Sequence, residues 1–276
     1  MGSSQAPINS SIRPFFPMPN NLPSCIDVNH LTVCYDRKPA VWEANLTVDQ
    51  GSMTGIIGPN GAGKSTFLKA MLGLIPAASG SVKFFGKNYR QERHRIAYIP
   101  QRESVDWEYP ISAREVVAMG LYREMGLFRR VTKVQRVKAD EALDRVGMKD
   151  FADARIGALS GGQQQRVFLA RSLVQNAELY LMDEPFAGID ATTEKVILDL
   201  MKDLQKNGAT LVCVHHDLPT VADYFDHLAL LNLRVVASGK TEEVFTKETL
   251  TQCYGGRLEL LSKLTDSLAK REALRP

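Results

Sequence analysis

The chain has 276 residues, with 34 basic and 31 acidic side chains, and 44% of its residues are hydrophobic. This length predicts one large domain with a buried core and room for a subdomain. The nearly balanced charge argues against a general attraction to nucleic acid or to an anionic membrane surface, although a local basic cluster stays open. Every apolar run is interrupted by charge or is shorter than the roughly 20 residues that span a bilayer, so no membrane-spanning helix is expected.

The start of the chain lacks the pattern of a secretory signal. Residues 1–24 mix proline with serine and asparagine and contain no basic start followed by an apolar stretch, so a disordered tail is predicted there. Four cysteines without C-x-x-C spacing indicate reduced thiols in a cytosolic compartment. They are Cys25, Cys34, Cys213 and Cys253.

The first predicted elements are strands. Apolar residues roughly alternate over residues 26–33 and 41–48, which predicts two antiparallel strands joined by a turn at Arg37, Lys38 and Pro39. Residues 53–57 form a compact apolar run, and apolar positions then recur at helical spacing from Phe67 until Gly73. The order is therefore strand, glycine-containing loop, helix.

That loop matches the pattern G-x-x-x-x-G-K-S/T, in which backbone N–H groups surround a polyphosphate. It consists of Gly58, Pro59, Asn60, Gly61, Ala62, Gly63, Lys64, Ser65 and Thr66. Lys64 would bridge the β- and γ-phosphates, and Ser65 would offer its hydroxyl to Mg²⁺. A chance glycine turn is the alternative, but the position between a strand and a helix favours phosphate binding.

Further along the chain, strands are predicted at residues 81–85 and 96–99, followed by helical patterning over residues 113–147 that reads as an inserted subdomain. Two more apolar strands and the helix between them imply parallel pairing. The strands are predicted at residues 179–182 and 210–214, and the helix between them at residues 194–206. A closing hairpin at 228–231 and 235–238 and helices at 242–254 and 258–268 complete the prediction.

Acidic residues follow one of these strands directly. Asp183 supplies a hard oxygen ligand for Mg²⁺, usually through water, and Glu184 could act as the general base that activates the attacking water. An acidic pair after a strand is more often a solvated turn. The phosphate loop elsewhere in the chain favours the catalytic interpretation.

The segment Leu159-Ser160-Gly161-Gly162-Gln163-Gln164-Gln165-Arg166 resembles the signature of the ATP-binding-cassette family. Ser160 and Gln163 fit an S-x-x-Q capping box at a helix start, which can bind an anion. The resemblance covers about residues 26–256. It implies an α/β P-loop NTPase cassette with a mixed or parallel core sheet, an antiparallel β subdomain and an inserted helical subdomain at about residues 102–165.

The family resemblance also implies a domain plan and a paired assembly. A cassette domain would occupy residues 25–256, between the disordered tail and a C-terminal helical tail at residues 257–276. Two copies would pair head to tail, so that Ser160, Gly161, Gly162 and Gln163 act on the ATP held by the partner. Both nucleotide sites of such a homodimer are expected to hydrolyse ATP.

Single residues take roles from the same resemblance. Tyr35 matches the aromatic residue that stacks on adenine, and Gln101 the glutamine that contacts Mg²⁺ and the attacking water. His216 matches the switch histidine that contacts the γ-phosphate, with His215 as the less favoured alternative. Asp190 matches the polar contact through which paired cassettes communicate, and a helix N-cap there is compatible with that role.

Residues 101–111 look like the cassettes of manganese, zinc and iron importers. In such proteins this region receives a cytoplasmic helix of the permease, and Trp107, Tyr109 and Ile111 are candidate apolar anchors, with local core packing as the alternative. The resemblance implies ATP and Mg²⁺ as the cofactors. The expected partners are a second copy, integral-membrane permease subunits and, indirectly, an extracytoplasmic metal-binding protein, at the cytoplasmic face of a prokaryotic membrane.

Two other classes of protein are weighed against this one. A soluble cassette ATPase of repair, translation or cofactor assembly would use the same ATP chemistry without a permease. A non-enzymatic nucleotide-binding scaffold is disfavoured because Glu184 and His216 are both present.

Overall fold

The computed structural model describes residues 23–125 and 131–255. The strands are β1 (Ser24–Tyr35), β2 (Lys38–Asp49), β3 (Met53–Ile57), β4 (Ser79–Phe84), β5 (Ile96–Ile99), β6 (Leu179–Asp183), β7 (Thr210–Val214), β8 (His227–Asn232) and β9 (Arg234–Lys240). The helices are α1 (Lys64–Met71), α2 (Tyr89–Glu92), α3 (Ala113–Ala118), α4 (Tyr122–Met125), α5 (Lys133–Arg145), α6 (Gly161–Leu173), α7 (Ala191–Lys206), α8 (Val221–Tyr224), α9 (Thr241–Val244) and α10 (Lys247–Tyr254).

The larger sheet places the functional loops side by side. Its order is β5-β6-β7-β3-β8-β9, parallel except for the β8–β9 hairpin. β3, β6 and β7 are buried at every position, as expected for strands covered on both faces. Because parallel strands end at one edge of a sheet, the segments that follow β3, β5, β6 and β7 meet there.

The two faces of this sheet belong to two hydrophobic clusters. In β6, Leu179 and Leu181 pack into the cluster with α1, β1 and β2, whereas Tyr180 and Met182 pack into the cluster with α3, α5 and α6. This alternation is the period of two that a strand imposes. The apolar run of β6 therefore forms a strand that is covered on both faces.

The smaller sheet has the order β2-β1-β4 and is antiparallel, as the sequence predicts for its first two strands. The turn between β1 and β2 lies at Asp36 and Arg37, one residue earlier than predicted. Asp36 and Arg37 have φ values of 45° and 66°, and Pro39 already lies in β2, paired with Cys34. Pro39 is tolerated because β2 is an edge strand, where a missing N–H breaks no ladder bond.

Helices α3, α4 and α5 come between β5 and α6, where the helical subdomain is predicted. Its two connections to the sheet are bonded together, since the Ala113 N–H donates to the Ala154 carbonyl at 2.9 Å and the Ile156 N–H to the Ile111 carbonyl at 2.9 Å. Each of the helices α3, α5 and α6 packs on the other two.

The predicted helix at 242–254 is two helices. The Thr246 side chain caps α10 by accepting a hydrogen bond from the Thr249 N–H, so a new helix begins after α9. The predicted helix at 258–268 and nearly all of the predicted tail at 1–24 lie outside the described residues. No described helix combines the length and the apolar character needed to cross a membrane.

Candidate active site

The loop after β3 folds back on its own lysine. Lys64 is 7% exposed, and its Nζ donates to the carbonyl oxygens of Gly58 at 2.8 Å and Pro59 at 3.1 Å. Burial lowers the pKa of Lys64, and the nearby Glu184 carboxylate opposes that shift. The ammonium group is thus held at the centre of the loop, where it can face a bound phosphate.

Glycines in this loop are required by the protein's own backbone. A Cβ atom on Gly58 would lie 1.9 Å from the Leu231 carbonyl oxygen, and one on Gly63 would lie 2.2 Å from that of Ala40. Gly63 also has a φ of 92°. The sequence pattern predicts glycines here for the approach of phosphate, and it does not reveal these contacts with β2 and β8.

The start of α1 is suited to an anion. Gly63 occupies its N-cap position in the left-handed region and provides no side-chain cap. The first N–H groups of a helix have no partner inside the helix and carry its positive dipole end. They therefore face the same loop as Lys64.

Ser65 and Asp183 meet as predicted, although β7 separates β6 from β3 in the sheet. The Ser65 hydroxyl donates to Asp183 Oδ1 at 2.7 Å, and burial raises the pKa of Asp183. The carboxyl group is fully buried, and its Oδ2 has no hydrogen-bond partner. A hydroxyl beside a carboxylate with one unsatisfied oxygen fits Mg²⁺, which prefers such hard oxygen ligands.

Glu184 lies between the two other residues predicted to act on the γ-phosphate. Its Oε2 is 3.4 Å from Gln101 Nε2 and 3.6 Å from His216 Nδ1. Its backbone φ of 53° is unusual for a non-glycine residue. Three strand ends therefore bring these three side chains together.

The structure distinguishes the neighbouring histidines. His215 is 2% exposed, its Nε2 lies 2.8 Å from Thr220 Oγ1, and burial lowers its pKa to about 4. Its ring packs against aromatic residues that the sequence argument did not connect with the site. These are Phe186, Tyr224 and Phe225. The His216 side chain is half exposed beside Glu184, so its position favours it over His215.

The predicted capping box at the signature segment is present. Ser160 Oγ accepts from the Gln163 N–H at 3.3 Å, and Gln163 Oε1 accepts from the Ser160 N–H at 2.8 Å. Gly161 and Gly162 open α6 behind this cap. Within residues 23–125 and 131–255, no recorded hydrogen bond joins residues 160–163 to the loop at 58–66.

Asp190 caps α7. Its two carboxylate oxygens accept from the Thr193 N–H and the Thr193 hydroxyl, both at 2.9 Å. A Cβ atom on Gly162 would lie 3.1 Å from Thr193 Oγ1, so the first turns of α6 and α7 are in contact. The capping prediction is confirmed, and the signature segment and Asp190 lie on neighbouring helix starts.

Tyr35 stands at the rim of the loop. The ring is 49% exposed, and its hydroxyl lies 3.5 Å from Thr66 Oγ1. An exposed aromatic ring at the end of α1's first turn is available to stack on a base.

The three candidate anchors after Gln101 differ in how they pack. Trp107 Nε1 donates to the Arg102 carbonyl at 2.9 Å, and its ring contacts Phe168 with centroids 4.9 Å apart. Trp107 and Ile111 pack against the core, whereas Tyr109 is 61% exposed. Core packing therefore accounts for Trp107 and Ile111, and Tyr109 is the exposed residue among the three candidate anchors.

Fold and site together define a nucleotide-binding P-loop cassette, and comparison with known proteins places it in a family. The sequence pattern of the ABC transporter family matches residues 41–187, which is more than half of the chain. The chain therefore belongs to the ABC transporter family, as an ATP-binding subunit with ATPase activity.

Characterised relatives match along nearly their whole length. The manganese transport system ATP-binding protein MntB of Bacillus subtilis is 53% identical over 236 residues, which is 86% of this chain and 94% of MntB. The zinc transport system ATP-binding protein TroB of Treponema pallidum is 52% identical over 233 residues, covering 84% of this chain and 88% of TroB.

Solved structures give the same fold. A cbiO1 protein from Clostridium perfringens, part of the ABC transporter complex cbiONQ, aligns with a TM-score of 0.70 at 27% identity over 88% of this chain and 99% of its own. An ATP-binding cassette solved as a dimer in a post-hydrolysis state with ADP and Pi aligns with a TM-score of 0.68 at 27% identity. That alignment covers 78% of this chain and 98% of the cassette.

Proposed function

We propose that this chain is the ATP-hydrolysing subunit of an importer of divalent metal ions, with manganese favoured and zinc or iron as the other candidates. The observation that carries the ATPase part is the convergence of Lys64, Asp183, Glu184 and His216 at one sheet edge. The metal-ion part rests on the manganese and zinc transport named for relatives more than 50% identical.

We assign the binding of ATP to the loop at residues 58–66 and to Tyr35. Lys64 and the first N–H groups of α1 bind the phosphates, and the Tyr35 ring stacks on adenine. Ser65 and Asp183 would hold Mg²⁺, which when bound neutralises charge on the phosphates. The orphaned Asp183 Oδ2 supports that assignment.

Glu184 is assigned as the general base. Its carboxylate takes a proton from the attacking water, while Gln101 orients that water and His216 holds the carboxylate and contacts the γ-phosphate. Glu184 has a left-handed backbone, and its carboxylate lies beside Gln101 and His216, an arrangement suited to preorganised catalysis.

Two copies would form a head-to-tail dimer around two ATP molecules. The signature residues Ser160, Gly161, Gly162 and Gln163 of each copy would close on the ATP held by the other, with Asp190 at the same interface. The solved cassette that is a dimer supports the pairing of two copies. Closing and opening with hydrolysis would drive a separate permease at the cytoplasmic face of the membrane, which receives metal from an extracytoplasmic binding protein.

Purification of the tagged full-length chain from its native cell membranes tests the assignment to a transporter. We expect an integral-membrane permease to copurify in a stoichiometric complex whose ATPase activity disappears with Glu184→Gln. Recovery of an active chain from the soluble fraction without a membrane protein would contradict the proposal and favour a soluble cassette ATPase. Nucleotide binding without any hydrolysis would instead favour a scaffold.

A further inference from the structure

Arg102, the residue directly after Gln101, reaches the signature helix. Its Nε donates to Gln164 Oε1 at 3.0 Å, and its guanidinium atoms lie 3.2 to 3.4 Å from the position that a Cβ on Gly161 would occupy. The side chain therefore lies against the first turn of α6. A larger residue at Gly161 would displace it.

Both the nitrogen and the oxygen of the Gln164 side-chain amide are hydrogen-bonded. It is 3% exposed, and its Nε2 donates to the Ile156 carbonyl at 3.1 Å while its Oε1 accepts from Arg102. A buried amide that loses one partner is left unsatisfied, which is costly. Gln164 thus fixes Arg102 to the segment that enters the signature.

Trp107 holds the same arginine from the other side. Trp107 Nε1 donates to the Arg102 carbonyl at 2.9 Å, and the guanidinium carbon lies 5.9 Å from the centre of the indole ring. The Trp107 carbonyl oxygen lies 2.7 Å from where a Cβ on Gly157 would be, and the Trp107 ring packs on Phe168 of α6. Arg102 is therefore enclosed by the two connections to the helical subdomain.

We propose that Arg102 is a positioning residue that joins the Gln101 loop to the start of the signature helix through Gln164. Gln101 touches Glu184 in the nucleotide site of its own subunit, whereas α6 faces the partner's ATP in the proposed dimer. The position of the signature helix would then depend, through Arg102, on the nucleotide site of the same subunit. This inference rests on the head-to-tail dimer proposed above.

ATP-dependent dimerisation of the full-length chain tests it, in the Glu184→Gln background that holds ATP unhydrolysed. Arg102→Met keeps the apolar stem beside Trp107 and removes the donor to Gln164. We expect the dimer to dissociate about tenfold more readily by sedimentation equilibrium, because a signature helix that is no longer fixed must be ordered on dimerisation, and a hydrogen bond to a charged group contributes on that scale. Binding of a fluorescent ATP analogue to the monomer should stay within about twofold of the parent.

Matched variants separate positioning from general damage. Gln164→Ala should reproduce the loss, and the double variant should be no worse than either single one, because both remove the same contact. Arg102→Lys, which keeps a cationic donor, should recover most of the dimerisation. Arg93→Ala, which removes an exposed arginine after α2, should leave dimerisation unchanged.

Three results would overturn the inference. Equal dimerisation of Arg102→Met and its parent would remove the role of Arg102 while leaving the proposed function intact. Strictly additive losses for Arg102→Met and Gln164→Ala would show that the two residues act separately. If the Glu184→Gln parent itself fails to dimerise with ATP, the dimer in the proposed function fails, and the inference fails with it.

Discussion

In the proposed mechanism, Glu184 combines a left-handed backbone conformation with the role of general base. Its left-handed φ turns the chain directly after β6, and its carboxylate lies within 3.6 Å of both Gln101 and His216. Strain of this kind costs of order 1 to 3 kcal/mol and persists when surrounding structure enforces it. The adjacent Asp183 stays in the strand and faces Ser65, so neighbouring carboxylates serve separate purposes.

Replacement of this carboxylate tests its role. Glu184→Gln keeps the size and the hydrogen bond to Gln101 but removes the base, so we expect ATP turnover to fall by at least about a hundredfold. ATP binding should be retained. Steady-state hydrolysis and equilibrium binding measure the two effects, and undiminished turnover would contradict the assignment of Glu184.

His215 makes stability depend on pH. Its pKa is about 4 in the fold against 6.5 as the ordinary value, because burial disfavours the charged ring. As pH falls below 6.5 the unfolded chain takes up this proton first, so the free energy of unfolding decreases. The loss approaches an upper bound of about 3 kcal/mol near pH 4.

Denaturant unfolding of the wild type and His215→Asn between pH 7.5 and pH 5 measures that effect. We expect the wild type to lose its advantage over the variant as pH falls. A difference in unfolding free energy that stays constant over this range would show that His215 does not titrate as described.

At the scale of elements, the phosphate loop depends on its neighbours β2 and β8 as much as on its own residues. The Ala40 and Leu231 carbonyls leave no room for a side chain at Gly63 and Gly58. The loop is therefore shaped by contacts with the smaller sheet and with the hairpin.

Gly63→Ala should destabilise the fold and abolish nucleotide binding. The variant combines a strained φ near 92° with a 2.2 Å clash, so we expect a loss of at least about 2 kcal/mol. Gly208→Ala is the matched control, because Gly208 has a φ of 89° and open space around it. Similar losses of unfolding free energy in both variants would show that backbone strain, and not the contact with β2, causes the destabilisation.

Sequence patterns predicted most of these elements, since the buried strands are short apolar runs that end at polar motifs. Residues 96–99 and 210–214 match β5 and β7 at both ends. The pattern could not show that Pro39 lies in an edge strand or that Thr246 begins a second helix, because both depend on which neighbours are present. It also missed Arg102 and Gln164, whose contact joins residues 62 positions apart.

For the whole molecule, the proposed site is complete only when two copies meet. The loop at 58–66 and the signature at 160–163 have no hydrogen bond between them in the described part of one chain. The opposite placement of loop and signature in a two-fold dimer gives each ATP contacts from both subunits. ATP would then hold the dimer together until it is hydrolysed.

Ser160→Arg tests this arrangement. Because a bulky side chain at the start of α6 would obstruct its contact with the partner's ATP, we expect ATP hydrolysis to be lost while the monomer binds ATP nearly as before. In mixed dimers that carry one variant subunit, the defect should appear at the ATP held by the other subunit. A defect confined to the variant subunit's own ATP would contradict the sandwich.

Uptake of labelled manganese by native cells tests the central claim most directly. Cells that carry Glu184→Gln in place of the wild-type chain should lose uptake to the level of cells without the chain, with labelled zinc and iron measured in parallel. A loss confined to zinc or iron would change the favoured ion. Unchanged uptake of all three metals would contradict the assignment of this ATPase to metal import.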